Sequence, residues 1–203
     1  MSNFIATYFT AVLLLAAGAV NASSFEELET EKMNKIAFTQ ASELDNWVII
    51  NDTVMGGRSR AKIEIEQEHL VFNGYLSLEN NGGFASIRRV YDNKNWLPQN
   101  PLQIKVQGDG RKYQFRLRTN RRMDGVAYVA SFQTIKGESQ SFSFELSDFT
   151  PQFRGRTVRG MPDLSFDDVT QMGFMLSEKA PGEFTLQVLS ISQSRSQLAS
   201  NYR

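Results

Sequence analysis

From residue 60 to residue 188, segment after segment of this chain alternates apolar and polar side chains with a period of two. Ala61, Ile63 and Ile65 alternate with Lys62, Glu64 and Glu66. Leu70, Phe72, Leu76 and Leu78 keep the period across Gly74, and Leu102, Ile104 and Val106 repeat it. Tyr113, Phe115 and Leu117 follow, then Tyr128, Ala130 and Phe132, then Phe142, Phe144 and Leu146. Met172, Phe174 and Leu176, then Phe184, Leu186 and Val188, close the series. Successive side chains of a strand point to opposite faces, so each segment predicts a strand with one buried face. Turn-forming residues separate them: Gly56-Gly57, Gly82-Gly83, Gly108-Asp109-Gly110, Asp124-Gly125, Lys136-Gly137 and Pro181-Gly182. Many short strands without a long helical period predict an all-β sandwich or jelly roll. One or two short helices accompany it. Residues 25–37 read as a leading helix or tether, and residues 165–171 as a helical turn capped by Ser165, with Asp167 and Asp168 at its start.

The ends of the chain read differently. Residues 1–22 carry no charged side chain and centre on Leu13-Leu14-Leu15, and Val20-Asn21-Ala22 offers small residues ahead of Ser23. This is the pattern of a secretory signal cleaved after Ala22, although no Lys or Arg precedes the apolar run. The run falls short of the roughly 18–20 apolar residues that span a bilayer. The expected organisation is therefore a signal peptide (1–22), a leading helix or tether (23–40), one sandwich domain (41–194) and a tail (195–203). The expected location is exported, either periplasmic or secreted, with no membrane span after cleavage.

Several chemistries are excluded. With no cysteine there is no disulfide, thiolate metal site, thiol nucleophile or lipid-bearing cysteine. The sole histidine, His69, rules out a multi-histidine zinc site. It sits where a turn hands over to a strand, and reads as a turn residue rather than a general base. No Gly-x-Ser-x-Gly elbow is present. Balanced charge, 22 basic against 22 acidic residues, gives no electrostatic reason for nucleic acid as a partner. No catalytic residue, metal site or cofactor is expected.

The binding candidates fall into groups. Asn51, Asp52, Glu79, Asn80 and Asn81 surround the two Gly-Gly turns. Their oxygens suit Ca²⁺ or sugar hydroxyls, but Asn and Asp equally cap turns whose glycines take positive φ. Glu79 is the member that turn chemistry does not require. Arg116 and Arg118, with Lys112 and Gln114, alternate with Tyr113, Phe115 and Leu117, and so share the face opposite the core. That face is either solvated or a docking surface for an acidic partner or glycan carboxylate, helped by Arg88 and Arg89. Arg154 and Arg156 form a loop motif of the same two meanings. Trp47 leads into Val48-Ile49-Ile50 and reads as core, whereas Trp96, in a polar stretch, reads as an exposed ring able to stack on a sugar. Convergence of Glu79, Arg88, Arg116 and Tyr128 on one concavity would make a small-ligand site.

These motifs carry a resemblance. Asn51-Asp52, Val54-Met55-Gly56-Gly57 and Ser59 form the first block. Leu78-Glu79-Asn80-Asn81-Gly82-Gly83-Phe84 with Ser86 and Arg88 forms the second. Gly108-Asp109-Gly110, Tyr113, Phe115 and Arg116 follow, then Tyr128, Phe132 and Thr134, Phe149 with Arg154-Gly155-Arg156, Gly173-Phe174 and Gly182-Glu183-Phe184. In this order they resemble the complex I intermediate-associated protein 30 family. Two positions depart from it: Ser139-Gln140 and Glu145 stand where many members carry Trp and Pro. The resemblance implies a galactose-binding-like β-sandwich and a non-enzymatic role in protein-complex assembly. Its best-known role, assembly of respiratory complex I in mitochondria, conflicts with the export signal. A protein partner is therefore expected in the cell envelope, with a secreted carbohydrate-binding module as the alternative.

Overall fold

A computed structural model describes residues 35–90, 96–122 and 124–193 of the chain. In chain order the strands are β1 (Lys35–Ala37), β2 (Trp47–Asn51), β3 (Arg60–Glu66), β4 (His69–Leu76), β5 (Ala85–Val90), β6 (Leu102–Gly108) and β7 (Lys112–Arg118). They continue as β8 (Ala127–Gln133), β9 (Ser139–Phe144), β10 (Thr150–Phe153), β11 (Arg156–Thr157), β12 (Gln171–Leu176) and β13 (Gly182–Gln193). Between them lie single-turn 3-10 helices, among them Asp52–Met55, Glu79–Asn81 and Phe166–Asp168.

The strands form two antiparallel sheets. One runs β3-β4-β13-β6-β9, with β1 also on β13; the other runs β11-β10-β8-β7-β12-β5-β2. β3-β4, β7-β8 and β10-β11 are neighbours in chain order, while the other pairs join strands distant in sequence through crossovers, as in a jelly roll. Period two does the rest. Phe115, Leu117, Phe132, Phe174 and Ile87 of one sheet, and Phe72, Ile104, Val106, Leu186 and Val188 of the other, bury one face each into a single core. Phenylalanines bridge the layers: Phe132 of β8 lies 5.0 Å from Phe142 of β9, and Phe115 lies 5.6 Å from Phe144. Phe174 stacks on Phe115 at 5.4 Å and on Trp47 at 6.4 Å. Such ring pairs add about 0.5–1.5 kcal/mol each beyond the area they bury.

The all-β sandwich is thus as the alternation predicts, and every alternating segment named above lies on a strand or at its end. Three expectations need correction. Lys35–Ala37, read as the end of a leading helix, is β1 instead. Ile36 is buried and pairs with Ile191 of β13, so an open sheet position outweighs the local helical preference. The rest of that segment, the leader and the tail lie outside the described residues. The helical turn expected at 165–171 shrinks to Phe166–Asp168. The Ser165 hydroxyl is held by the Asp167 carboxylate rather than by the backbone, and Gln171 already begins β12. Trp96 is not an exposed ring; it is 2% exposed and part of the core. The carboxamide of Gln193 explains this. It accepts from the Leu97 N–H (2.6 Å) and donates to the carbonyls of Leu97 (2.7 Å) and Asn100 (2.8 Å), pinning the polar stretch to β13 with the ring inward.

Candidate functional site

The face of β7 that points away from the core carries Gln114, Arg116 and Arg118. Its neighbour β12 contributes Gln171, Gly173 and Met175, and β5 contributes Ser86 and Arg88. Register places them in rows. Gly173 pairs with Arg88 on one side and Arg116 on the other, and Gln171 pairs with Arg118. With only hydrogen at Gly173, β12 puts no side chain of its own between the two arginines. A methyl there would lie 2.1 Å from the Ile87 carbonyl oxygen, so β12 requires glycine to approach β5 this closely.

These rows floor a cleft of about 800 Å³, a size that takes a small ligand or a few residues of a peptide. Its rim is apolar at both ends. Val54 and Met55, from the 3-10 turn after β2, are 72% and 62% exposed, and Phe153 ends β10 across the sheet. Arg154 stands 5.1 Å over the Phe153 ring and reaches Asp124 at 3.4 Å. Asp124 is the one carboxylate among the described residues lining the cleft.

The floor is electrostatically unbalanced. Arg116 Nη1 donates to Gln114 Oε1 (2.6 Å), and Arg118 Nη1 to the Gly125 carbonyl (2.5 Å). Both acceptors are neutral. Burial, then repulsion from Arg88, lowers the Arg116 pKa to about 10. Burial, Arg88 and Arg116 lower that of Arg118 to about 10 as well, against the pull of Asp124. Burial also lowers the Arg88 pKa, again opposed by Asp124. All three remain cationic at neutral pH. Gln171 organises the group: its Oε1 accepts from Arg88 Nη1 (3.3 Å), and its Nε2 donates to the carbonyls of Asn120 (2.6 Å) and Arg122 (3.1 Å).

The two Gly-Gly turns form a different structure beside this cleft. Asp52 is fully buried, and its carboxylate joins both turns. Oδ1 accepts from the Ser59 N–H (2.9 Å); Oδ2 accepts from the Ser59 hydroxyl (2.5 Å) and the N–H groups of Gly83 (2.6 Å) and Phe84 (3.3 Å). Ser59 Oγ in turn accepts from the Ser77 N–H (3.0 Å). Burial pushes the Asp52 pKa up, but the donors together hold it below the usual 3.8. A Cβ at Gly57 or Gly82 would fall 2.4 Å or 2.6 Å from this carboxylate, which explains a glycine in each turn. Asn80 and Asn81 take the left-handed conformation at φ 55° and 58°, and Asn80 Nδ2 donates to the Gly56 carbonyl (3.1 Å). The turn reading of these residues therefore describes their geometry.

Of the residues singled out in the sequence, Arg88, Arg116, Arg118 and Arg154 meet in the cleft. The others do not. Glu79 is exposed and pairs with Arg58 at 3.0 Å. Tyr128 faces the core and donates its hydroxyl to the Pro162 carbonyl (2.6 Å). Arg89 turns to the opposite face and meets Glu43 at 2.6 Å. Arg156 is exposed on β11, and Asn51 is half-buried at the end of β2. Convergence of Glu79 and Tyr128 with Arg88 and Arg116 fails because Glu79 belongs to the turn and Tyr128 to the inward phase of β8. The sequence reading missed Gln171, Gly173, Met175 and Asp124. A signal existed for the first three, since Met172, Phe174 and Leu176 face inward and leave 171, 173 and 175 outward. Nothing in the sequence says that β12 lies between β5 and β7. Among the described residues no three His, Asp or Glu side chains gather as a metal site, and no helix is long and apolar enough to cross a membrane.

Residues 36–188 match the family described as Complex I intermediate-associated protein 30. The chain belongs to that family. A mouse relative named "Complex I intermediate-associated protein 30, mitochondrial" is 27% identical over 177 residues, covering 74% of this chain and 52% of its own length. A Caenorhabditis elegans relative, named as a probable mitochondrial member, is 24% identical over 203 residues, covering 84% of this chain and 59% of its own. The chain thus spans little more than half the length of these family members. Their naming as mitochondrial overturns the expectation of an exported, periplasmic or secreted protein. Among solved structures, a family 11 carbohydrate-binding module from Clostridium thermocellum superposes with a TM-score of 0.55 at 14% identity. It covers 78% of this chain and 95% of the module. At that identity the likeness is one of fold, and it matches the expected galactose-binding-like sandwich.

Proposed function

We propose that the protein is a non-catalytic binding factor that grips a protein partner through the arginine-floored cleft during assembly of a larger complex. The Arg116–Arg118 pair carries this reading. Two guanidiniums are held on one strand, largely out of water, against neutral acceptors alone. Among the described residues neither forms an ion pair. Charges kept this way are stabilised by an anion arriving from outside. The family supports the assembly role, since its relatives are named for association with a complex I intermediate. A carbohydrate ligand is the second reading, and the fold likeness supports it. The cleft chemistry favours it less. Both tryptophans, with Tyr113 and Tyr128, are buried in the core, so among the described residues no Trp or Tyr ring lines this cleft to stack on a sugar.

The test is capture of a partner by the tagged full-length chain in its own cells, beside the Arg116→Gln variant at equal stability. The wild type should retain a defined protein, and the variant about tenfold less, a loss of ~1.4 kcal/mol. Equal retention would remove the cleft from partner binding. Retention of a neutral glucan oligosaccharide in place of a protein would establish the carbohydrate reading.

A further inference from the structure

The shape of the cleft says more than its charge. Its lining extends across the strands, from the turn after β2 to the end of β10, and is only about three residue rows deep. In sheet order β2-β5-β12-β7-β8-β10 there are five strand spacings between those ends, roughly 24 Å at ~4.8 Å each. A polyproline-II chain covers that length in about seven to eight residues at ~3.1 Å per residue. Within the row Arg88–Gly173–Arg116 the cations are two strand spacings apart, about 10 Å. In a polyproline-II chain, with three residues per turn at ~3.1 Å each, side chains three residues apart project from one face at about that separation. The apolar rims, Val54 and Met55 at one end and Phe153 at the other, lie beyond this charged centre.

We infer that the occupant of the cleft is an extended acidic segment of the partner, lying across the strands. Two carboxylates three residues apart meet Arg88 and Arg116, with Arg118 beside them, and apolar side chains at each end meet Met55 and Phe153. This rests on the reading of the cleft as the partner-binding surface. Charge complementarity selects the acidic residues, and the absence of a side chain at Gly173 leaves room for the segment to lie against the sheet. Gln114 and Ser86 flank the row and supply neutral groups for its backbone.

A random heptapeptide display library, panned on the full-length chain and on Arg116→Gln, tests this. The wild type should enrich peptides with two Asp or Glu three positions apart between Leu, Met or Phe. A synthetic member should bind about tenfold tighter than its Asn/Gln counterpart, and Arg116→Gln, which leaves Arg88 to hold one carboxylate, should cut that difference to about threefold. Replacing Met55 with Ser should weaken binding of acidic and amide peptides alike. Enrichment without carboxylates, no enrichment, or equal affinity for acid and amide peptides would overturn the inference. If Arg116→Gln still abolishes capture of the cellular partner, that failure falls on the acidic segment alone. If capture survives the substitution, the cleft reading itself has failed.

Discussion

At the scale of single residues, two charged groups have opposite meanings. Asp52 is buried and satisfied; Arg116 is largely buried and matched only by a neutral amide. Asp52 ties the turn after β2 to the turn before β5 through Ser59, Gly83 and Phe84. Replacing its carboxylate with a carboxamide puts an N–H₂ against N–H donors and removes the charge they stabilise. Asp52→Asn should therefore cost about 2–4 kcal/mol in chemical denaturation. The pH dependence follows from the lowered pKa. The unfolded carboxyl binds its proton more readily than the folded one, so the stability Asp52 contributes is full above ~pH 5 and is lost as pH falls through 3.8 toward the folded value. Wild type and Asp52→Asn should differ most at neutral pH and converge in acid; a constant gap from neutral pH to pH 3 would contradict this. Arg116→Gln should behave in the other way. It removes a desolvated charge repelled by Arg88, so melting should be unchanged within about 0.5 kcal/mol, or slightly improved, at neutral pH. A large loss of stability would mean that Arg116 is a structural residue.

At the scale of elements, the legible and the hidden parts separate cleanly. Identity and inward phase were readable for β3, β4, β6 to β9, β12 and β13, because one buried face per strand imposes period two on the sequence, whereas β2, β5, β10 and β11 were not read as strands. Segments such as 60–66, 102–108 and 112–118 announce their core side without reference to partners. β1 was hidden because three residues carry too little pattern to compete with the charged, Leu- and Met-containing residues before them. Strand order was hidden too, since period two names a face and not a neighbour. The cleft exists because β12 falls between β5 and β7, and only pairing reveals that Gly173 sits between two arginines. This placement gives β12 a specific vulnerability. Gly173→Ala sets a methyl against the Ile87 carbonyl, which is backbone and cannot rotate away. The expected cost is about 3 kcal/mol, with amide exchange accelerated in β5 and β12 while β4 and β13 stay protected. Uniform acceleration through both sheets, or none, would show that the β5–β12 approach is not where the strain falls.

At the scale of the whole molecule, the net charge of zero conceals an uneven distribution. The 22 basic and 22 acidic residues cancel in sum, yet Arg88, Arg116, Arg118 and Arg154 share one cleft in which Asp124 is the one carboxylate among the described lining residues. Composition could not show this, because an average over the sequence contains no positions. The arginines on β7 were legible as an outward row; their meeting with Arg88 required the sandwich. Asp124 sits at the mouth with its side chain 72% exposed, against an Arg154 that is 70% exposed. An exposed pair of this kind adds little to stability. Its field reaches Arg88 and Arg118, however, and opposes the entry of another anion. Asp124→Asn should leave melting unchanged and tighten binding of an acidic heptapeptide about three- to tenfold at low salt. Because the gain is Coulombic and lies near solvent, it should shrink as salt rises to about 0.5 M, where charges are screened within several ångströms. The same salt should slow association of wild type and variant alike while leaving dissociation nearly constant. If the variant binds no tighter at low salt, or if its advantage persists at high salt, the carboxylate at the mouth does not gate the charge of this cleft.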